Sequence, residues 1–187
     1  FINALSIQSQ EKISTIDTID NYNVTINIID KIALVEYDLK RDIEGMISLK
    51  IPEDAKITDI SYNEYEFKNG ILKLNINKNL KLKFLTKEII KKSDNYYVLY
   101  AINDPYYIKN LNLKVVLPEY AVLDKKENVY PSTKISTNGI NIILEWNKKN
   151  LDEKESFAIF AIFRKPSNNF WLLMTIIFAI VAILAGY

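Results

Sequence analysis

Residues 72–84 read LKLNINKNLKLKF, and this stretch decides the fold class. Leu72, Leu74 and Ile76 alternate with Lys73, Asn75 and Asn77, and Leu80, Leu82 and Phe84 alternate with Lys81 and Lys83. Successive side chains of a strand point to opposite faces, so this spacing builds one dry face and one wet face. A helix would scatter the same residues around its whole circumference.

The period of two continues on both sides. Val24, Ile26 and Ile28 oppose Asn23, Thr25 and Asn27, and Val35, Tyr37 and Leu39 oppose Glu36, Asp38 and Lys40. Leu111, Leu113, Val115 and Leu117 follow the same rule, as do Ile142, Leu144 and Trp146, which places Trp146 in the core. Phe157–Phe163 (FAIFAIF) is apolar on both faces and reads as a central strand. Turns of the Asn-Gly, Asn-Asp-Pro and Pro-Ser type separate the runs. Residues 21–163 are therefore expected to be all-β, an antiparallel β-sandwich, with one helical turn near Thr86–Lys92. A body of this size buries roughly two thirds of its surface, enough for one sound core.

An internal echo points to two similar halves of about 70 residues, at 21–85 and 95–163. Ile51-Pro52-Glu53-Asp54-Ala55-Lys56-Ile57 matches Leu117-Pro118-Glu119-Tyr120-Ala121-Val122-Leu123, and Asn69-Gly70-Ile71 matches Asn138-Gly139-Ile140. Upstream, Asn21-Tyr22-Asn23-Val24 resembles Asn95-Tyr96-Tyr97-Val98. Two such halves close on each other as one sandwich or stand as two tandem ones; the size of the core favours one.

Composition excludes much chemistry. The chain has 187 residues with 0 Cys and 0 His. That removes disulfides, thiolate and imidazole metal sites, cysteine nucleophiles and His-dependent triads. With net charge +1 and only Arg41 and Arg164 as arginines, no basic field or bidentate donor set suits nucleic acid. There is no nucleotide-binding glycine loop and no nucleophile elbow. Asp17, Asp20 and Asp30 are the carboxylates considered for Ca²⁺, but no loop has the required spacing. No cofactor, no metal site and no catalytic residue is expected, so we read the chain as not an enzyme.

The ends point to a membrane. Phe170–Tyr187 (FWLLMTIIFAIVAILAGY) carries no charge and, as a helix, reaches about 27 Å, near the thickness of a bilayer core. Phe170 and Trp171 stand where an interfacial aromatic belt belongs. We expect 166–187 to form a transmembrane helix and 7–165 an extracytoplasmic domain. Ala4 and Ser6 fit the small-residue positions of a signal-peptide cleavage site, making 1–6 a remnant of that peptide. Arg164 and Lys165 lie on the side that the positive-inside rule disfavours. A cytoplasmic continuation after Tyr187 is expected, and a tail-anchored protein with a cytosolic domain is the competing layout.

Two further features mark candidate surfaces. Tyr96, Tyr97, Tyr100, Tyr106 and Tyr107 cluster around Asn103-Asp104-Pro105, and Tyr97, Tyr106 and Tyr107 are the expected interaction surface, with both rings after the turn exposed. Asn23-Val24-Thr25 is an N-glycosylation sequon. The acid-rich stretch 36–66 and the lysine-rich stretch 78–92 are expected to pair or to face an oppositely charged partner.

The pattern resembles a loosely defined archaeal family of single-span membrane proteins. Its members have a signal peptide, an extracytoplasmic β-sandwich and a C-terminal span, sometimes followed by a cytoplasmic winged helix. The residues that carry the resemblance are Ala33-Leu34-Val35-Glu36-Tyr37, Leu49-Lys50-Ile51-Pro52-Glu53-Asp54-Ala55, Tyr130-Pro131-Ser132, Asn138-Gly139-Ile140 and Leu144-Glu145-Trp146 through Leu151. The resemblance implies a sensing or surface-interaction role at the cell membrane. The expected function is thus a membrane-anchored, extracytoplasmic binding or sensing module with a protein or cell-surface partner. The alternative is a structural cell-surface or membrane-complex assembly subunit.

Overall fold

Every alternating run named above becomes a strand, because each has one apolar side to bury and backbone groups to pair. The computed structural model describes residues 17–125 and 128–165, and Thr175. The described residues form β1 (Thr18–Ile29), β2 (Ile32–Lys40), β3 (Gly45–Lys50), β4 (Lys56–Ile60), β5 (Tyr65–Lys68), β6 (Ile71–Ile76) and β7 (Asn79–Thr86). They continue as β8 (Ile90–Lys92), β9 (Tyr96–Ile102), β10 (Tyr107–Val116), β11 (Val129–Tyr130), β12 (Lys134–Thr137), β13 (Ile142–Leu151) and β14 (Phe157–Phe163).

Three sheets result: a seven-stranded sheet in the order β12-β13-β10-β1-β2-β7-β4, a four-stranded β11-β14-β9-β8 and a three-stranded β3-β6-β5. Within this list the two halves of the chain share one topology. In the first, β1-β2-β7-β4 and β3-β6-β5 are antiparallel sheets; in the second, β8-β9-β14-β11 and β10-β13-β12 repeat the same order. The halves join where β1 and β10 pair in parallel, Val24 opposite Leu113. That one seam fuses the four-stranded sheet of the first half with the three-stranded sheet of the second.

The two echoed sequence segments adopt the same turn. Ile51 N donates to Gly70 O at 3.0 Å and Ala55 N to Pro52 O at 3.0 Å, while Leu117 N donates to Ile142 O at 2.9 Å and Ala121 N to Pro118 O at 3.1 Å. Each Pro stands two residues past the end of a strand, where no ladder donor is needed. The Asn-Gly pairs sit in the β5–β6 and β12–β13 connections, with Gly70 at φ 72° and Gly139 at φ 93°.

The buried faces of all three sheets form one hydrophobic cluster, from Ile19 on β1 to Phe163 on β14. Side chains tie the smaller sheets to the large one: Tyr37 on β2 meets Tyr100 on β9, and Trp146 on β13 donates its Nε1–H to Pro131 O at 2.8 Å. Thr86 on β7 donates to the Asp54 carboxylate beyond β3. The outer face of the large sheet is polar and runs in rows. Glu145, Lys114, Thr25, Glu36 and Lys83 are successive cross-strand neighbours, and so are Asn147, Asn112, Asn23, Asp38 and Lys81. The acidic and lysine-rich stretches thus lie side by side within one sheet, as in the Lys83–Glu36 pair at 3.5 Å.

The expected helical turn at Thr86–Lys92 is absent. β7 runs to Thr86, a turn closed by Ile90 N to Lys87 O at 3.1 Å follows, and β8 begins. Ile89 and Ile90 are both buried, and pairing with β9 satisfies this backbone better than one isolated helical turn. Among the described residues no helix is long and apolar enough to cross a membrane; the expected span at 166–187 lies outside them apart from Thr175, as do Phe170, Trp171 and residues 1–6.

Candidate functional site

The tyrosine cluster around Asp104 divides into an inner and an outer set. Tyr106 is 5% exposed, which corrects the expectation of an exposed ring. The reason lies on β3, an edge strand whose outward amides need acceptors. Ser48 N donates to Tyr106 Oη at 2.6 Å and Lys50 N to Asp104 Oδ1 at 2.8 Å. Two side chains from the β9–β10 connection therefore occupy ladder positions that a neighbouring strand would fill, and they join the two halves. Tyr22 on β1 donates to Asp104 Oδ2 at 3.0 Å, and Tyr22 packs edge-on against Tyr37 at 5.4 Å.

Burial pushes the Asp104 carboxyl up to about 6, partly countered by the Lys50 amide and the Tyr22 hydroxyl. Burial also raises Tyr22 and Tyr100, and Asp104 and Tyr37 respectively add to it. A perturbed acid often marks a functional site. Here both carboxylate oxygens are engaged in a closed, dry network, so the group is a structural clamp. Tyr107 is half-buried, and its hydroxyl donates to Asn150 Oδ1 at 2.9 Å.

Tyr97 belongs to the outer set and leads to the surface that sequence reasoning missed. On β9 the residues Val98, Tyr100 and Ile102 face the core, and Tyr97, Leu99 and Ala101 face outward. On β14 Ile159, Ala161 and Phe163 face inward, and Ala158, Phe160 and Ile162 outward. Register places Ile162 beside Tyr97, Phe160 beside Leu99 and Ala158 beside Ala101, with Tyr130 on β11 next to Phe160. Tyr97 and Phe160 rings lie 6.0 Å apart. Leu99 is 57% and Tyr130 71% exposed, and neither β9 nor β14 contributes a charge. A contiguous apolar sheet face of this kind marks contact sites on proteins. Its signal was present in FAIFAIF: a strand apolar on both faces has either a second covering layer or a partner.

The other candidates fall apart spatially or serve the sheet. Asp17, Asp20 and Asp30 bind Arg41, Lys109 and Lys165 in three separate ion pairs. Among the described residues no three acidic groups are placed to hold a metal ion. Asn23 lies on the outer face of β1, where its Oδ1 accepts from Asn112 Nδ2 at 2.7 Å. It therefore sits in a strand ladder, not in the surface loop usual for a glycan acceptor.

Fold and surface together define an all-β domain, among the described residues, with one sheet face whose two central strands carry no charge and whose β8 edge carries Lys91 beside Tyr97. No protein-family model matches the chain, and no curated relative is found for it. Its fold is similar to solved structures of zinc peptidases. One is an M1 zinc metallopeptidase mutant from Deinococcus radiodurans bound to a Tyr-Ser-Ala substrate, with TM-score 0.52 and 10% identity, covering 77% of this chain and 42% of that one. Another is a two-domain M1 zinc metallopeptidase mutant bound to L-tryptophan, with TM-score 0.51, 10% identity and the same coverage. The chain thus spans less than half the length of these enzymes. At this identity the likeness is one of β architecture alone.

Proposed function

We propose that this protein is a membrane-anchored, extracytoplasmic binding or sensing module, without catalytic chemistry of its own, and that it docks a protein partner on the outer face of the four-stranded sheet. The observation that carries the reading is that face: Tyr97, Leu99, Phe160, Ile162 and Tyr130 form an apolar strip, while the central rows on the outer face of the large sheet are lined with Asn, Lys, Glu and Asp. Desolvating such a strip favours association, and the absence of charge at its centre suits an interface core. The uncharged segment 170–187 supports the anchor, and Ala4 and Ser6 support export. The likeness to zinc peptidases does not carry their activity here. Zinc is held by Cys, His and carboxylates, and the sequence has neither Cys nor His.

A permanent interface is more apolar than a transient one, and the lack of charged groups on β9 and β14 favours, as a second reading, a subunit of a stable membrane complex. Leu99→Lys tests both. It places a charge on an exposed position, so the melting temperature should hardly change. The mass of the complex released from native membranes by mild detergent should fall to that of the chain alone. An unchanged mass would refute docking through this face.

A further inference from the structure

The described strands end with β14, and Lys165 just beyond it, the exit toward 166–187 in sequence, lies beside the β1–β2 hairpin. Arg164 pairs through its backbone with Val122, at 2.8 and 2.9 Å, and Lys165 Nζ binds Asp30 Oδ1 at 3.1 Å. Around this exit lies a groove of about 500 Å³ lined in part by Ile29, Pro118, Tyr120, Asn141 and Lys165. Three residues here are more than half exposed although apolar or aromatic: Ile29 at 60%, Tyr120 at 58% and Ile140 at 52%. Val122 stands next to them, and Tyr120 N donates to Ile140 O at 3.2 Å.

The outer face of the large sheet changes character toward the same end. Its last complete row is Ser136, Ile143, Val116, Asn27, Leu34, Leu85 and Lys56, apolar at the four positions Ile143, Val116, Leu34 and Leu85, whereas the next row inward, Lys134, Glu145, Lys114, Thr25, Glu36, Lys83 and Asp59, has no apolar member. Polarity therefore falls along the strands toward the exit, on the face and at the tip together. From Lys165 to Phe170 there are five residue steps, at most about 17 Å of fully extended chain.

We propose that this end of the sandwich rests on the lipid surface, with Ile29, Tyr120, Val122 and Ile140 in the interfacial layer. The inference depends on the reading of 170–187 as a membrane anchor, since a short tether on that anchor leaves this end within reach of the bilayer. Aromatic and aliphatic side chains partition into that layer through their apolar area. Asp30–Lys165 and Asp124–Arg164 are paired, and the exposed Lys31 of the hairpin and Glu119 of the groove are of opposite sign, so apolar burial, not attraction to anionic headgroups, drives the contact. Val122 borders the four-stranded sheet, since it pairs with Arg164 just after β14, while Leu99, Phe160 and Tyr130 lie farther along that sheet and stay free for its partner.

The absence of native Cys makes the test direct. Full-length Ile140→Cys and Tyr120→Cys proteins, each carrying an environment-sensitive fluorophore, are reconstituted into phosphatidylcholine vesicles. Ile43→Cys, 54% exposed and beyond the opposite end of β2, is the control. The expected result is blue-shifted emission quenched by lipid-borne nitroxide at positions 140 and 120, water-like emission at 43, and no change on adding anionic lipid. Water-like emission at all three positions in protein that floats with vesicles after carbonate washing overturns the contact and leaves the anchor standing. A shift that appears only with anionic lipid overturns apolar burial as its cause. Protein that fails to float overturns the anchor and this inference with it.

Discussion

Asp104→Asn separates the structural account of the buried clamp from a functional one. The Asp104 carboxyl is displaced from 3.8 to about 6 by burial, so the folded state favours the protonated acid. At pH below the unfolded value both states carry the proton and the full contribution to stability is present. As pH rises, the unfolded chain ionises first, and the contribution is lost until pH passes about 6. The displacement corresponds to about 3 kcal/mol. Asn mimics the protonated acid: its carbonyl still accepts from Lys50 N, and its amide can donate to the Tyr22 hydroxyl. Urea unfolding of the fragment 7–165 should therefore give a variant that gains on the wild type by about 3 kcal/mol between about pH 3.5 and about pH 7.5. Taking the difference cancels other carboxylates such as Asp54, where burial raises the pKa but hydrogen bonds from Thr86, Lys87 and Glu88 bring it below its ordinary value. A pH-independent difference between the two proteins would refute the clamp as described.

Three further substitutions probe the fold. Trp146→Ala should cost about 3–5 kcal/mol, because the ring is 3% exposed and its Nε1–H is bonded to Pro131 O; a cost below ~1 kcal/mol in urea unfolding would put it at the surface. Tyr106→Phe leaves the Ser48 amide without its acceptor and should cost about 1–3 kcal/mol, read as a lower urea midpoint at unchanged slope. Gly70→Ala should destabilise more than Gly139→Ala: both have positive φ, but only at Gly70 does a new Cβ meet Ile51 O at 3.1 Å and Glu53 Cγ at 3.2 Å. Equal melting temperatures for the two would contradict the close approach at the first turn.

The inward faces were legible because a period of two is a local property. Val24, Ile26 and Ile28, Leu72, Leu74 and Ile76, and Leu80, Leu82 and Phe84 are all buried, and Trp146 is where its neighbours Ile142 and Leu144 placed it. Pairing was not legible. The parallel seam of β1 with β10 joins residues far apart in sequence, and no local spacing encodes it. Tyr106 failed for a related reason: an exposed turn was expected after Asp104-Pro105, but the amides of Ser48 and Lys50 draw the turn inward. The helical turn expected near Thr86–Lys92 is a turn and a strand start instead, because Ile89 and Ile90 are both buried, in the turn before β8 and in its first residue. Apolarity on both faces of FAIFAIF points to a central strand, and a central place in the sheet says nothing of what covers Leu99, Phe160 and Tyr130. β14 is central within its sheet, but its outer side is not overlaid by any described strand.

The account turns on whether the outer face of the four-stranded sheet is a contact surface. A photo-cross-linking amino acid placed at Leu99 or Tyr130 in the full-length protein, irradiated in native membranes, tests this most directly, with Asn112 and Lys81 on the outer face of the large sheet as controls. The account predicts a discrete protein adduct of one mass from both Leu99 and Tyr130, and none from Asn112 or Lys81. No adduct from either position, or the same adducts from all four, would contradict it.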